Sequence, residues 1–262
     1  MPDALVSYRA ADGIAILELH APPANTYSYE MMLELDAAIL KARMDDAVHV
    51  LVLRGAGEKF FCAGADIRML SGMSPRYKYY FCLHANETLN RLEQTPKLVI
   101  AALNGHAVGG GLEVAMAADL RIARKDAGKI GLPEATLGVL PGTGGTQRLA
   151  RLVGRAKAIE LMATARTFSV DEGLSLGIVT HVFDPENWWD QVIHYARKFC
   201  PPGAASRAVG AIKRSVVTGS EVAFAEALAL ERELQQQLFE SEDAKEGLRA
   251  YTEKRPPRFK GA

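Results

Sequence analysis

Apolar and polar positions alternate or cluster on either side of Ala11-Asp12-Gly13, over residues 4–9 and 13–20, so the chain opens with a β-hairpin. The spacing then changes. Across residues 28–43, Met31, Met32, Leu35, Ile39 and Leu40 recur at the helical period. Residues 48–53 are β-branched-rich and nearly all apolar, as a strand buried on both faces would be. A second helix is predicted over 76–94, with Phe81, Ala85, Thr88 and Leu92 on one face. Pro96 ends it, and residues 98–103 form the next buried strand. Strand, helix and strand in that order imply parallel crossovers, hence an α/β core.

Past about residue 140 the pattern is mostly helical, over 146–152, 156–163 and 187–199. Pro201-Pro202-Gly203 breaks the chain, and helices follow at 204–217, 222–239 and 242–253. In the second of these, Phe224, Ala227, Leu228, Leu234 and Leu238 make an apolar stripe. Such helices could cover their own sheet or lie against a neighbouring subunit, and the pattern favours neither. No internal repeat or low-complexity segment is visible.

Composition narrows the class more than the function. A chain of 262 residues with 48% apolar residues fits one large domain, or one domain with an appendage. Thirty-one basic and 31 acidic side chains cancel, which leaves no global field to draw nucleic acid or anionic lipid. The first residues lack the basic and apolar regions of a secretion signal, and no run approaches the roughly 20 apolar residues of a membrane span. Cys62, Cys82 and Cys200 are odd in number and widely spaced, as reduced thiols in a cytoplasm would be. The expectation is a soluble cytoplasmic protein.

Three segments carry candidate chemistry. Gly109-Gly110-Gly111 follows the strand at 98–103 and precedes the helix-forming Leu112 to Ala117. Glycines there permit a sharp turn, and either simply pack against the sheet or leave the first helical N–H groups aimed at an anion. Glu113 falls within that first turn, so its carboxylate is expected beside those donors. The segment from Phe61 to Ile67, FCAGADI, follows the strand at 48–54 in the same way. Loops after two strands of one parallel sheet reach the same edge, where N–H groups of Ala65 and Gly110 could meet across one oxygen. Glu134 follows Leu132-Pro133. It is either a solvent-facing helix cap or, given Ile130, Leu132, Leu137, Val139 and Leu140 around it, a partly desolvated carboxyl with a raised pKa.

Other motifs read more plainly. The Gly142 to Gln147 segment resembles a phosphate loop but lacks the third glycine of GxGxxG and the P-loop lysine, so it is taken as a turn and helix start. Gly173-Leu174-Ser175-Leu176-Gly177 matches the serine-hydrolase pattern, yet the required strand-then-helix order is reversed. Cys62 has no evident His or Asn partner and reads as a small buried residue. No histidine or cysteine spacing suggests a metal. The tail from Lys254 to Lys260 is basic with one aromatic, Phe259, and is either solvated or in contact with a nucleotide-like ligand.

In order and spacing, FCAGADI, NGHAVGGGLEVAMAADLRIA and GLPEATLGVLPGTGGTQRL resemble the crotonase superfamily, most closely its enoyl-CoA hydratases. The resemblance runs from Ala21 to the basic tail. It implies a spiral of stacked ββα turns over residues 1–200 and a helical oligomerisation region over 201–262, assembled as trimers or as hexamers built from two trimers. It implies acyl-CoA thioesters as ligands, with coenzyme A as part of the substrate and no separate cofactor. Ala65 and Gly110 would be the oxyanion-hole donors, and Glu113 and Glu134 the pair flanking a catalytic water. Ala24, Asp66, Ile67 and Arg68 would line the CoA path, with Phe259 and Lys260 also at the CoA moiety. An isomerase would need only the carboxylate at Glu134, so Glu113 favours hydration. A non-catalytic acyl-CoA binder would need neither. The run Asn25-Thr26-Tyr27-Ser28-Tyr29 departs from the family's usual Asn-Ala-Leu. Its tyrosines could face the acyl chain, or the segment could only cap the next helix through Ser28.

Overall fold

The computed structural model describes residues 4–262. The opening hairpin pairs β1, Val6–Ala11, antiparallel with β2, Ile14–Leu19. Asp12 and Gly13 turn it at φ of 51° and 80°, the left-handed pair that a two-residue hairpin turn requires. Helix α1, Tyr29–Met44, starts where the Ser28 hydroxyl accepts a hydrogen bond from the N–H of Met31. Helix α3, Pro75–Glu93, starts likewise at Ser74 with proline in its first turn.

Two sheets carry the fold. The larger has six strands in the order β1-β2-β3-β5-β7-β10, where β3 is Val50–Gly55, β5 Leu98–Leu103, β7 Leu120–Arg124 and β10 His181–Phe183. From β2 onward its neighbours run parallel, as the strand–helix–strand order predicts. Leu51, Leu53, Val99 and Ala101 face the main core with α1 and α3. Val50, Val52, Ile100 and Ala102 face the opposite way, under Trp188 and Val192 of α8, Trp188–Arg197. Burial on both faces therefore explains the uninterrupted apolar runs.

The smaller sheet joins β4, Phe60–Cys62; β6, His106–Val108; β8, Lys129–Gly131; and β9, Thr167–Ser169. Three successive parallel strands of the large sheet each feed one here: β3 leads to β4, β5 to β6 and β7 to β8. A helix follows β4 and β6, namely α2, Ile67–Ser71, and α4, Gly110–Met116, while a 3₁₀ turn, Glu134–Leu137, follows β8. These are the stacked ββα turns of the expected spiral. The chain doubles back tightly between sheets: a Cβ on Gly55 would lie 2.7 Å from the Cα of Phe61. Buried Asn25 and Asn104 satisfy the bend, their amides reaching the carbonyls of Ala56, Phe60 and Gly57 at 2.8–3.0 Å.

This second sheet corrects the sequence reading. The glycine turns do not end neighbouring strands of the large sheet. They follow β4 and β6, parallel neighbours in the small one. Strands of three residues are too short to show an alternating pattern.

The remaining helices are α5, Gly145–Val153; α6, Arg155–Ala163; α7, Val170–Ser175; α9, Ser206–Gly219; α10, Phe224–Phe239; and α11, Glu242–Thr252. Ser175 lies at the exposed end of α7, with its hydroxyl on the Asp171 carbonyl rather than at a strand-to-helix elbow. Helix α9 lies on the large sheet, and α10 packs on α9. Phe224, Phe239, Ile212, Val216, Leu248 and Tyr251 remain between 57% and 87% exposed. The stripe on α10 is thus only partly covered within one chain. No described helix is long and apolar enough to cross a membrane.

One buried ion pair ties α9 to the sheet. Lys213 Nζ lies 2.8 Å from Asp119, which also accepts the N–H of Val99 at 2.7 Å. Burial works against both charges, so each depends on its partner. Replacing Lys213 with Met is expected to cost about 3–5 kcal/mol in urea unfolding, because it strands a buried carboxylate. Arg151→Ala breaks the half-exposed pair with Glu221 and is expected to cost under about 1 kcal/mol. Equal losses would contradict this ranking.

Candidate active site

The first glycine turn leaves β4 and is steadied by Tyr27. The N–H of Tyr27 donates to the Gly64 carbonyl at 2.9 Å, and the N–H of Asp66 donates to the Tyr27 carbonyl at 3.1 Å. Tyr27 and Ala65 form an isolated parallel bridge. Tyr27 therefore takes the groups on either side of Ala65, and the N–H of Ala65 itself faces away from it. Asp66 then caps α2 by accepting from the N–H groups of Arg68 and Met69.

The second turn leaves β6 through Gly109, at φ 56° and ψ −135°, a conformation open to glycine. Its carbonyl accepts from Leu112 and Glu113, which starts α4. The two turns touch. A Cβ on Gly64 would lie 3.0 Å from the nitrogen of Gly110, and one on Gly111 would run into the carbonyl of Cys62. Among the described residues, the N–H groups of Ala65 and Gly110 make no hydrogen bond. Two unused donors thus lie on adjacent loops, an arrangement able to hold one anionic oxygen.

Glu113 is 2% exposed, and the donors that hold its carboxylate come from outside its own helix. Its Oε1 accepts the N–H groups of Thr143 at 2.8 Å and Gly145 at 2.7 Å, and its Oε2 accepts the Thr143 hydroxyl. The Gly142 to Gln147 segment is a turn and helix start, as read, but its free N–H groups cradle a carboxylate. A Cβ on Gly145 would sit 2.8 Å from Glu113 Oε1, so glycine there admits the side chain. Arg148 braces the turn from behind, through the Thr143 carbonyl at 3.3 Å and Glu93 at 2.8 Å.

Glu134 opens the 3₁₀ turn after β8. Its Oε1 lies 3.0 Å from where a Cβ of Gly109 would be, while its Oε2 is buried and makes no hydrogen bond with the described residues. Burial pushes its carboxyl up to about 7; its own backbone N–H opposes this, and the charge of Glu113 adds a further rise. Ile130 and Leu132 are buried, as expected of desolvating neighbours. Leu137, Val139 and Leu140 are instead 57–66% exposed within one chain.

The other expected residues divide. The Ala24 carbonyl accepts the N–H of Ala63 at 3.0 Å, so Ala24 borders the first turn along with Asp66, Ile67 and Arg68. Phe259 and Lys260 are not brought to the site of the same chain. Phe259 lies against Gly247, and Asp243 of α11 takes the N–H groups of Lys260 and Gly261 at 2.7 and 2.9 Å, fastening the tail to α11. Burial pushes the Cys62 thiol up to about 12, so it is not a thiolate near neutral pH. Among the described residues, no group of three or more His, Cys, Asp or Glu is placed to hold a metal. Ser28 is the helix cap, and Tyr29 lies beside His84 with ring centroids 5.3 Å apart. Tyr27 neither caps a helix nor opens onto a groove: it is 3% exposed, beneath Gly110.

Stacked ββα turns with two glycine loops meeting over a pair of carboxyl groups define a protein of the crotonase fold. A model of the enoyl-CoA hydratase/isomerase family matches residues 9–262. A probable enoyl-CoA hydratase of Bacillus subtilis is 39% identical over 95% of this chain and 95% of its own. A short-chain-enoyl-CoA hydratase of Clostridium acetobutylicum is 39% identical over 92% of each. The crystal structure of an enoyl-CoA hydratase from Geobacillus kaustophilus superposes with a TM-score of 0.97 at 45% identity, covering 100% of this chain and 98% of that one. The chain belongs to the enoyl-CoA hydratase/isomerase family of enzymes.

The site makes a prediction about stability. Glu134 holds its proton to about pH 7 in the fold and to about 4.5 in the unfolded chain. Its contribution is therefore intact below about 4.5 and lost as pH rises through 7. Glu134→Gln cannot ionise. Its urea midpoint, relative to the native protein, is expected to be higher at pH 8 than at pH 4.5. An offset independent of pH would contradict this reading of Glu134.

Proposed function

We propose that the protein is an enoyl-CoA hydratase that adds water across the 2,3 double bond of a trans-2-enoyl-CoA, giving a 3-hydroxyacyl-CoA. The observation that carries the reading is the asymmetry of the two carboxyl groups beside two unused backbone donors. Glu113 meets only hydrogen-bond donors, as a carboxylate does. Glu134 is half-buried, with its Oε2 out of solvent, and keeps a proton to about pH 7. The names of the Bacillus, Clostridium and Geobacillus relatives support the same reaction.

In this scheme the thioester carbonyl lies between the N–H groups of Ala65 and Gly110. Water adds its oxygen to Cβ and passes a proton to Glu113, while Glu134 delivers its proton to Cα. Negative charge grows on the thioester oxygen as the enolate-like state forms, and the two N–H dipoles stabilise it. Proton transfer from Glu113 back to Glu134 closes the cycle. No metal, redox group or covalent intermediate enters, and coenzyme A takes part only as the substrate's carrier. Isomerisation of a 3-enoyl-CoA needs no base for water, so the cradle built around Glu113 speaks for hydration.

The exposed apolar face on α9, α10 and α11 supports assembly as a trimer or a pair of trimers. Any role of Phe259 and Lys260 at a CoA groove then requires a neighbouring copy, since their own chain holds them at α11.

Hydration of crotonyl-CoA, followed by loss of the conjugated thioester's absorbance, tests the reading. Glu113→Gln and Glu134→Gln are each expected to lower kcat by about 10²-fold or more while acyl-CoA binding stays within a few-fold. Near-native turnover in either variant would remove that residue from the mechanism. Because Glu134 must carry its proton, kcat/KM is expected to fall as pH rises through about 7. A profile flat to pH 9 would contradict its role as the acid.

A further inference from the structure

Tyr27 touches both halves of the site without facing its open side. The ring stacks on Phe81 of α3 at 6.0 Å and 28°. It also occupies the space beside Gly110, where a Cβ would lie 2.7 Å from Cε1 and 2.8 Å from Cζ of Tyr27. The phenol oxygen lies 3.3 Å from Thr143 Oγ1, linking segments 116 residues apart. Thr143 in turn is hydrogen-bonded to Glu113 Oε2.

Counting hydrogens fixes the direction of this chain. A carboxylate can only accept, so the single hydroxyl hydrogen of Thr143 is committed to Glu113. Tyr27 must then be the donor in the bond to Thr143. Burial, followed by the charge of Glu113, keeps the phenol neutral and able to donate. The donor that Thr143 presents to Glu113 is thus itself oriented and polarised from behind.

We infer that Tyr27 is a positioning residue for hydration, acting through Thr143 to hold the Glu113 carboxylate in the orientation that accepts a proton from water. Nothing in this role touches substrate, so it bears on turnover and not on binding. The inference rests on the hydratase reading. Wild-type protein inactive on every 2-enoyl-CoA would defeat that reading, whereas an active wild type lets Tyr27 be judged separately.

The experiment compares wild type, Tyr27→Phe, Thr143→Val, the double variant and Thr143→Ser on crotonyl-CoA, with thermal melting of each. Tyr27→Phe keeps the ring over Gly110 and removes only the hydroxyl. It is expected to lower kcat by roughly 3- to 10-fold, as loss of one hydrogen bond would, with KM within about two-fold. Thr143→Val is expected to cost more. Adding Tyr27→Phe to it should cost less than about two-fold further, because the tyrosine has no route to Glu113 except through that hydroxyl. Thr143→Ser, which restores the hydroxyl, should recover most of the loss. Unchanged kcat in Tyr27→Phe, or losses that multiply in the double variant, would overturn the inference. So would failure of Tyr27→Phe to fold, since the hydroxyl would then serve the fold and not the reaction.

Discussion

The close approach of two backbone turns is the constraint on which the site depends. Cys62 and Gly64 at the end of β4 come against Gly110 and Gly111 at the start of α4 closely enough that side chains at the glycines would collide with main chain. Parallel pairing of β4 with β6 sets that approach. The three-residue strands have little stability of their own, so the large sheet must hold them, with the amides of Asn25 and Asn104 satisfying the bends between layers. Only then do the unused N–H groups of Ala65 and Gly110 lie on adjacent loops.

Around this frame, the fold gives two chemically identical side chains different surroundings. Glu113 sits in the first turn of α4, and its carboxylate meets the donor-rich start of α5. Glu134 comes from a 3₁₀ turn and has a buried oxygen that no described residue satisfies. Repulsion from Glu113 reinforces what burial does to it. The two groups are thus held in opposite surroundings, one among donors and the other desolvated. The polar chain from Tyr27 through Thr143 belongs to the first of these and has no counterpart at the second.

Much of this was legible in the sequence, for local reasons. Ser28, the Asp12-Gly13 turn and Pro96 mark element ends through nearest-neighbour geometry, and the helices and strands predicted around them lie within about two residues of those observed. The candidate residues Glu113, Glu134, Ala65 and Gly110 stand out in the sequence from glycine turns and from the family pattern. What escaped was non-local. The small sheet left no periodicity because its strands are only three residues long. The repeat of the ββα turn is one of geometry and not of sequence. The cradle that Thr143 and Gly145 make for Glu113 leaves no local signal because it lies 30 and 32 residues downstream. Tyr27 looked like an acyl-facing or capping residue because its partner is farther still.

In the proposed reaction a thioester carbonyl is polarised by the N–H groups of Ala65 and Gly110. Isotope-edited infrared difference spectroscopy of a bound enoyl-CoA, labelled with ¹³C at the thioester carbon, reads that interaction directly. Two donors on that oxygen are expected to displace the carbonyl stretch to lower frequency than in water. A band at or above its position in solution would contradict it.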